Sequence, residues 1–283
     1  WKRPHGIHEV VMRLITRACV TPRNLRSALT ALIVLCLWTS SPAQPREAEI
    51  RSGGVLTIGK ISVGSLVFHP LYLSLGVEKE IASLIYGHGL LQVDASGEVS
   101  DGLAVLPQPS RDGRIWVFQL RPDITFHDGR PLQADDVVFT YGFYKSSRRY
   151  DPIFHRYFRN IERVEKYDPW TVAFVMKEPI TKFPRALSTL PIMPGHQMRT
   201  GSIADASGVQ APPRPIGLGP YRLESGKPGS DSVILSANRS WHHGWPDLDR
   251  IVYKFYPTSD ELMAAFVMRE VDAVEVDRSS SFQ

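Results

Sequence analysis

Hydrophobic and polar positions follow two different periods along the first half of the chain. Runs rich in β-branched residues predict strands at Val55–Val63 and Ile115–Leu120. Apolar faces with a 3.6-residue repeat predict a helix at Leu75–Tyr86 and a second one beginning near Ala134. Strands and helices therefore alternate, which is typical of a mixed α/β architecture.

The second half of the chain is richer in strands. A hairpin is predicted at Ile161–Tyr167 and Thr171–Met176. The Gly/Ser/Pro-rich segment Thr200–Pro215 is interpreted as a connection that returns from a subdomain. Further strands are predicted at Tyr221–Leu223, Val233–Ala237 and Ile251–Tyr256, followed by a helix at Ser259–Met268 and a strand at Val271–Val276. This pattern indicates an α/β fold with one inserted β-rich block.

The first 44 residues have the layout of a secretory leader. They carry six Lys/Arg and one Glu, so the net charge of +4 lies there, and the remainder is close to neutral. Residues 28–38 are apolar but too short to span a bilayer comfortably. We expect residues 1–11 to be upstream translation, 12–43 a signal peptide cleaved after Ala43, and 44–54 a linker. The neutral remainder argues against a nucleic-acid partner.

Both cysteines, Cys19 and Cys36, lie inside this leader. A mature chain without cysteine has no disulfide and no thiol nucleophile. Val34-Leu35 precede Cys36 where small residues would be expected at a lipid-attachment site, so we do not expect a lipoprotein.

The stretch Trp116–Thr140 (WVFQLRPDITFHDGRPLQADDVVFT) is the most informative segment. It resembles the signature of the family 5 extracellular solute-binding proteins, the dipeptide and oligopeptide binders of bacterial importers. It departs from that signature at Asp123-Ile124 and at Gln133, where a capping Thr is usual, and loss of that cap should weaken the helix start by ~1 kcal/mol. The matching residues are Trp116, Phe118, Leu120, Arg121, Phe126, His127, Asp128, Gly129, Pro131, Ala134, Asp136, Val137 and Phe139.

Later segments resemble the same family in the same order. They are Pro215–Tyr221, Asn238–Ile251 and Glu270-Val271-Asp272, the last with Arg269 where glycine is usual. The resemblance implies a type II periplasmic-binding-protein clamshell whose second lobe lies beyond this chain. It divides the mature chain into lobe one at 55–74, an inserted α/β subdomain at 75–214, lobe one again at 215–276, and the start of a crossing to lobe two at 277–283.

The resemblance also implies a function. We expect a periplasmic, monomeric protein without a cofactor, which captures a peptide non-covalently and delivers it to an inner-membrane ABC permease and its ATPase subunits. Nickel, haem or oligosaccharide cargo remains an alternative. The loop after the first strand and a glycine-rich passage are the candidate ligand contacts: Ser62, Val63, Gly64, Ser65, His69, Gly217, Leu218 and Gly219.

Two other arrangements suggest chemistry. His127-Asp128 could form a general base with its orienting carboxylate, as in a hydrolase, but no nucleophile motif accompanies the pair and adjacent residues of an extended segment point apart. His242-His243 could ligate a metal, but the sequence places no third ligand beside them. We therefore predict neither an enzyme nor a metal site.

Overall fold

The computed structural model of the protein describes residues 53–62, 68–69, 76–146, 157–183, 185–198, 203–204, 210–211, 214–227 and 230–275. All of them belong to one compact unit that spans residues 51–283. The predicted leader, both cysteines, the loop residues Val63–Ser65 and the predicted crossing at 277–283 lie outside the described residues. Among the helices of the described ranges, none is both long and apolar enough to cross a membrane.

The chain alternates between strands and helices, as predicted. The strands are β1 (Val55–Ile61), β2 (Leu91–Val93), β3 (Val99–Asp101), β4 (Ile115–Gln119), β5 (Ile161–Asp168), β6 (Thr171–Met176), β7 (Ile203–Ala204), β8 (Gln210–Ala211), β9 (Tyr221–Ser225), β10 (Ser232–Ala237), β11 (Arg250–Tyr256) and β12 (Ala273–Val274). The helices are α1 (Gly76–Tyr86), α2 (Ala134–Ser146), α3 (Arg185–Ser188), α4 (Gly195–Met198) and α5 (Ser259–Val267).

A five-stranded sheet in the order β12-β1-β11-β10-β9 is the frame of the molecule. Strand β1 runs parallel to both β11 and β12, whereas β10 is antiparallel to β11 and β9. The backbone just before β1 is held by Asp249, whose carboxylate accepts the Gly54 N–H at 3.0 Å. Asp272 accepts the Thr57 N–H at 2.8 Å and so ties the start of β12 to the same strand.

Helices cover both faces of this sheet. Ile81 and Ile85 of α1 are fully buried and share a hydrophobic core with Ile58, Val233 and Tyr253. Successive side chains of a strand point to opposite faces, so the residue after Ile58 faces the other side. A Cβ on that residue, Gly59, would lie 2.5 Å from Leu262 of α5. Helix α5 therefore packs closely on the face opposite α1.

A second hydrophobic core lies between α2 and a three-stranded antiparallel sheet in the order β4-β6-β5. Aromatic rings fill it: Phe174 meets Tyr141 edge-on at 4.6 Å and Phe118 at 5.2 Å. The predicted hairpin of β5 and β6 and the predicted helix at Ala134 are both present here. Aromatic pairs in these geometries add about 0.5–1.5 kcal/mol each beyond their buried area.

Three features of the structure were not expected from the sequence. Helix α1 was predicted to open the inserted subdomain at residue 75, but it packs with the five-stranded sheet, and the second core begins only at Leu90. The segment Thr200–Pro215 was predicted as a plain connection, but it contains the short antiparallel pair β7 and β8. The small β2–β3 hairpin was not predicted, because its strands are only three residues long and carry no clear hydrophobic pattern.

Candidate functional site

The parallel strands β1, β11 and β12 end at the same edge of the five-stranded sheet. Ligands of open α/β sheets bind outside this carboxyl edge. Ser62 follows β1 there, and its N–H donates to the Tyr256 carbonyl at the end of β11 at 2.8 Å. The predicted contacts Val63, Gly64 and Ser65 come next in the chain, outside the described residues.

His69, the last predicted contact of that loop, lies in the interior. Its side chain is fully buried, and its ring lies 5.8 Å from that of Phe143 in α2. The neighbouring Phe68 carbonyl accepts the Tyr86 hydroxyl at 3.1 Å. The chain thus returns from the sheet edge into the packing between α1 and α2.

A charged cluster, here called the Lys60 cluster, lies on the α1 face of the sheet close to this edge. Its members are Lys60 of β1, Glu80 of α1, Tyr253 of β11 and Glu275, which follows β12. The ammonium of Lys60 is 2.8 Å from Glu80 and also contacts Glu275, while the Tyr253 hydroxyl donates to Glu80 at 2.8 Å. Four elements of the fold therefore meet at one buried cation.

Electrostatics keeps Lys60 charged in this position. Burial by itself lowers the pKa of Lys60, but hydrogen bonds to Glu275 and Glu80 and their charges outweigh it, so the pKa is raised. Burial and the adjacent Glu80 charge raise the pKa of Tyr253, which keeps its hydroxyl protonated as a donor. The sequence did not reveal this cluster, because its residues are separated by 20 to 215 positions.

The glycine-rich passage Gly217-Leu218-Gly219 lies against the C-terminus of α1. Gly219 N–H donates to the Ile85 carbonyl at 2.9 Å, and Leu218 is fully buried. A Cβ at Gly217 would lie 2.0 Å from the Ile85 carbonyl oxygen, and one at Gly219 2.2 Å from that of Leu84. These residues were predicted as ligand contacts. In the structure they form a close backbone crossing against α1, whereas Ser62 bonds to Tyr256 at the end of β11.

His127 of the signature bridges the two cores through this passage. Its Nε2–H donates to the Gly219 carbonyl at 3.0 Å, and its Nδ1 accepts the Gly217 N–H at 3.2 Å. Its own backbone N–H donates to the Gly217 carbonyl at 3.0 Å. A carbonyl only accepts and an amide N–H only donates, so the ring is the neutral Nε2–H tautomer. Burial lowers the pKa of His127 to about 4, which agrees with this assignment.

The Gly219 carbonyl also receives a second donor. The amide of Asn238, which is 2% exposed, donates to it at 3.1 Å, and the Asn238 side-chain oxygen accepts Arg222 at 2.7 Å. His127, Gly219 and Asn238 come from the three longest segments that carry the family resemblance. The three segments therefore meet at one junction between the two cores.

His127 and Asp128 do not form a catalytic pair. Both ring nitrogens of His127 are engaged by backbone groups. Asp128 accepts His196 Nε2 at 2.8 Å and the Arg130 N–H at 3.1 Å, so its carboxylate points away from His127. The hydrolase alternative lacks the base-orienter geometry that it requires.

Asp136 connects the start of α2 to the start of α4. One carboxylate oxygen accepts the Gln133 N–H at 3.1 Å, and the other accepts the Gly195 N–H at 2.9 Å. Gln133 was expected to leave the helix start without its usual cap. The carboxylate three positions later instead reaches back to the capping residue, as in one half of a capping box.

The remaining signature residues shape the second core and its turns. Arg121 pairs with Asp123 at 3.0 Å, Gly129 has a φ of +85° in its turn, and Pro131 bridges to Thr125. Phe139 is half-buried against the core. The fully or almost fully buried members are Trp116, Phe118, Leu120, Phe126, Ala134 and Val137.

The half-buried His242 and the exposed His243 lie in a turn beside Trp241, with their ring centroids 4.3 Å apart. Burial and the neighbouring His243 lower the pKa of His242 to about 4. Within the described part of the chain, no three His, Cys, Asp or Glu residues come together as a metal site would require.

The geometry described above defines one lobe of a solute-binding protein of the type II periplasmic class. The profile of the bacterial extracellular solute-binding proteins, family 5 (middle region), matches residues 98–283. The chain belongs to this family.

Two named relatives are also binding proteins. The chain is 28% identical over 259 residues to the oligopeptide-binding protein AppA of Bacillus subtilis, covering 88% of this chain and 47% of AppA. It is 26% identical over 253 residues to the glutathione-binding protein GsiB of Escherichia coli, covering 88% of this chain and 45% of GsiB. The chain thus spans about half the length of these relatives.

Solved structures show the same fold. The structure of AppA from B. subtilis in complex with a nonapeptide superposes with a TM-score of 0.67 at 27% identity, covering 81% of this chain and 45% of that one. The structure of MoaA from A. tumefaciens R10 in complex with mannopinic acid gives a TM-score of 0.67 at 27% identity, with coverage of 80% and 45%.

Proposed function

We propose that this protein is the exported substrate-binding component of an ABC-type importer for peptides. The observation that carries the proposal is the carboxyl edge of β1, β11 and β12, because ligands of this fold class bind at such an edge. Family membership supports a transport role, and the leader-like N-terminus supports export to the periplasm. The expected partners are a membrane permease and its ATPase subunits.

Two of the relatives support peptide cargo. AppA is described with a nonapeptide, and GsiB as a glutathione-binding protein, so both relatives take peptide-bonded ligands. An extended peptide is held by main-chain hydrogen bonds, which the polar segment after Ser62 has the small residues to provide. We propose Ser62–Ser65 as the contact segment of this lobe.

Capture requires no covalent step. The Lys60 cluster is paired internally, and His127 is occupied by backbone groups, so neither presents a free base or nucleophile. We therefore propose binding and release by lobe closure, with the binding energy coming from enclosure of the solute.

Thermal denaturation of the full-length gene product with a panel of di- to nonapeptides tests this function. A peptide at 100 times its Kd should stabilise the protein by about 2.7 kcal/mol. Glutathione, nickel with histidine, and mannopinic acid serve as comparison solutes. A shift with one of these and with no peptide would contradict peptide cargo while leaving the transport role in place.

A further inference from the structure

The last strand of the described chain is held to the sheet by few contacts. Strand β12 pairs with β1 over only two residues, Ala273 and Val274. The Asp272 N–H donates to the Thr57 carbonyl at 2.8 Å, but after the strand the Glu275 N–H is 3.5 Å from the Gly59 carbonyl. Backbone bonding therefore weakens where the chain leaves the sheet edge.

At this point the side chain of Glu275 holds the chain to the sheet through an ion pair. Its carboxylate contacts the ammonium of Lys60, whose side chain is 8% exposed and fixed within the sheet. Lys60 also pairs with Glu80, whose carboxylate accepts a hydrogen bond from the Tyr253 hydroxyl. Loss of Glu275 would thus leave Lys60 with one carboxylate partner, so the cation would not become a bare buried charge.

The two carboxylates differ in how easily they can leave. The Glu275 side chain is 66% exposed and the Glu80 side chain 40% exposed. Water screens the attraction of a more exposed carboxylate more strongly, so its ion pair opens at a smaller free-energy cost. Glu80 is further held by Tyr253 and by its position in the middle of α1, whereas Glu275 follows a two-residue edge strand.

We propose that Glu275 is a releasable latch that fixes the exit of β12 through Lys60, and so acts as a positioning residue for cargo capture. This rests on the proposed function in one respect: the chain after β12 must lead to the second half of the binding cleft. The latch fixes the position of Glu275 against the sheet. That position sets how well the two halves of the cleft are pre-organised for a solute.

Matched variants of the full-length gene product test the latch. Glu275→Gln and Glu80→Gln each remove one charge from the same lysine with little change in shape. Hydrogen exchange of the amides at 272–275 should accelerate about tenfold in Glu275→Gln, because local opening becomes easier, and less than twofold in Glu80→Gln. The amides of β11 should be unaffected in both variants.

The affinity for cargo provides the functional readout. The Kd of the best peptide should rise about three- to tenfold in Glu275→Gln and stay within twofold in Glu80→Gln, through loss of pre-organisation. In the wild type, 0.5 M NaCl should reproduce the faster exchange at 272–275 by screening the pair.

Three results would overturn the latch: unchanged exchange at 272–275 in Glu275→Gln, equal acceleration in Glu80→Gln, or faster exchange with no change in Kd. Absence of binding to any peptide in the wild type would instead contradict the proposed function. The exchange measurement needs no ligand, so the two failures are distinguishable.

Discussion

The His127 bridge gives the sharpest stability prediction, His127→Ala. The substitution removes the donor to the Gly219 carbonyl and leaves the Gly217 N–H, at a close backbone crossing, without its acceptor. A lost hydrogen bond costs about 1 kcal/mol, and an unsatisfied buried donor adds about 1–3 kcal/mol. We therefore expect the free energy of unfolding at pH 7.5 to fall by about 3 kcal/mol.

Acidification should act on the same bridge. The folded-state pKa of His127 is lowered to about 4, whereas an unfolded histidine titrates near its ordinary value of about 6.5. Below a pH of about 6.5 the unfolded chain binds more protons than the folded chain does. The contribution of His127 to the free energy of unfolding is therefore complete above this pH and falls as the pH decreases toward 4. The maximum loss is about 3 kcal/mol for a difference of this size.

Urea denaturation of wild type and His127→Ala at pH 7.5 and pH 4.5 measures both effects. The wild type should lose more stability between the two pH values than the variant does, because the variant lacks the buried imidazole. His88→Ala is the matched control: His88 is exposed, and its removal should change stability by less than about 0.5 kcal/mol. Equal pH dependence in wild type and His127→Ala would refute the bridge.

Four further substitutions test other parts of the structure by the same denaturation assay. Arg269 has a φ of +60° at the end of α5, where glycine is favoured, so Arg269→Gly should stabilise by ~1 kcal/mol, and a loss would contradict the strain. Gly217→Ala should destabilise by more than about 3 kcal/mol because of its 2.0 Å contact, whereas Gly142→Ala, with open space on α2, should gain about 0.5–1 kcal/mol. Asp136→Asn should cost about 1–3 kcal/mol, since an amide presents only one acceptor to the two N–H donors of Gln133 and Gly195, and an unchanged stability would exclude the cap.

Hydrophobic patterning predicted most of the fold because the long elements bury either one apolar face, as in β4, or a continuous apolar run, as in β6. Helix α2 and strands β4, β6 and β11 place their apolar residues at the expected spacing, and all are present close to their predicted bounds. The boundary of the insert at residue 75 stays a prediction, because the pattern of α1 shows that one face is buried but not against which sheet. Only the tertiary packing distinguishes the two cores.

The candidate site was less predictable than the fold. The signature residues His127 and Asp136 were expected to be structural, and they hold backbone groups of other segments. Lys60 carries no local signal, since its partners Glu80 and Glu275 come from a helix and an edge strand far along the chain. Ion pairs of this kind depend on the meeting of distant elements, which no short motif encodes.

We propose above all that the full-length protein captures peptides at the carboxyl edge of its five-stranded sheet. Isothermal titration calorimetry of the full-length gene product with unlabelled peptides measures this binding. We expect saturable binding of one peptide per protein, with a negative heat-capacity change from enclosure of apolar surface. Absence of heat with every peptide, together with saturable binding of glutathione, an opine or a nickel complex, would contradict it.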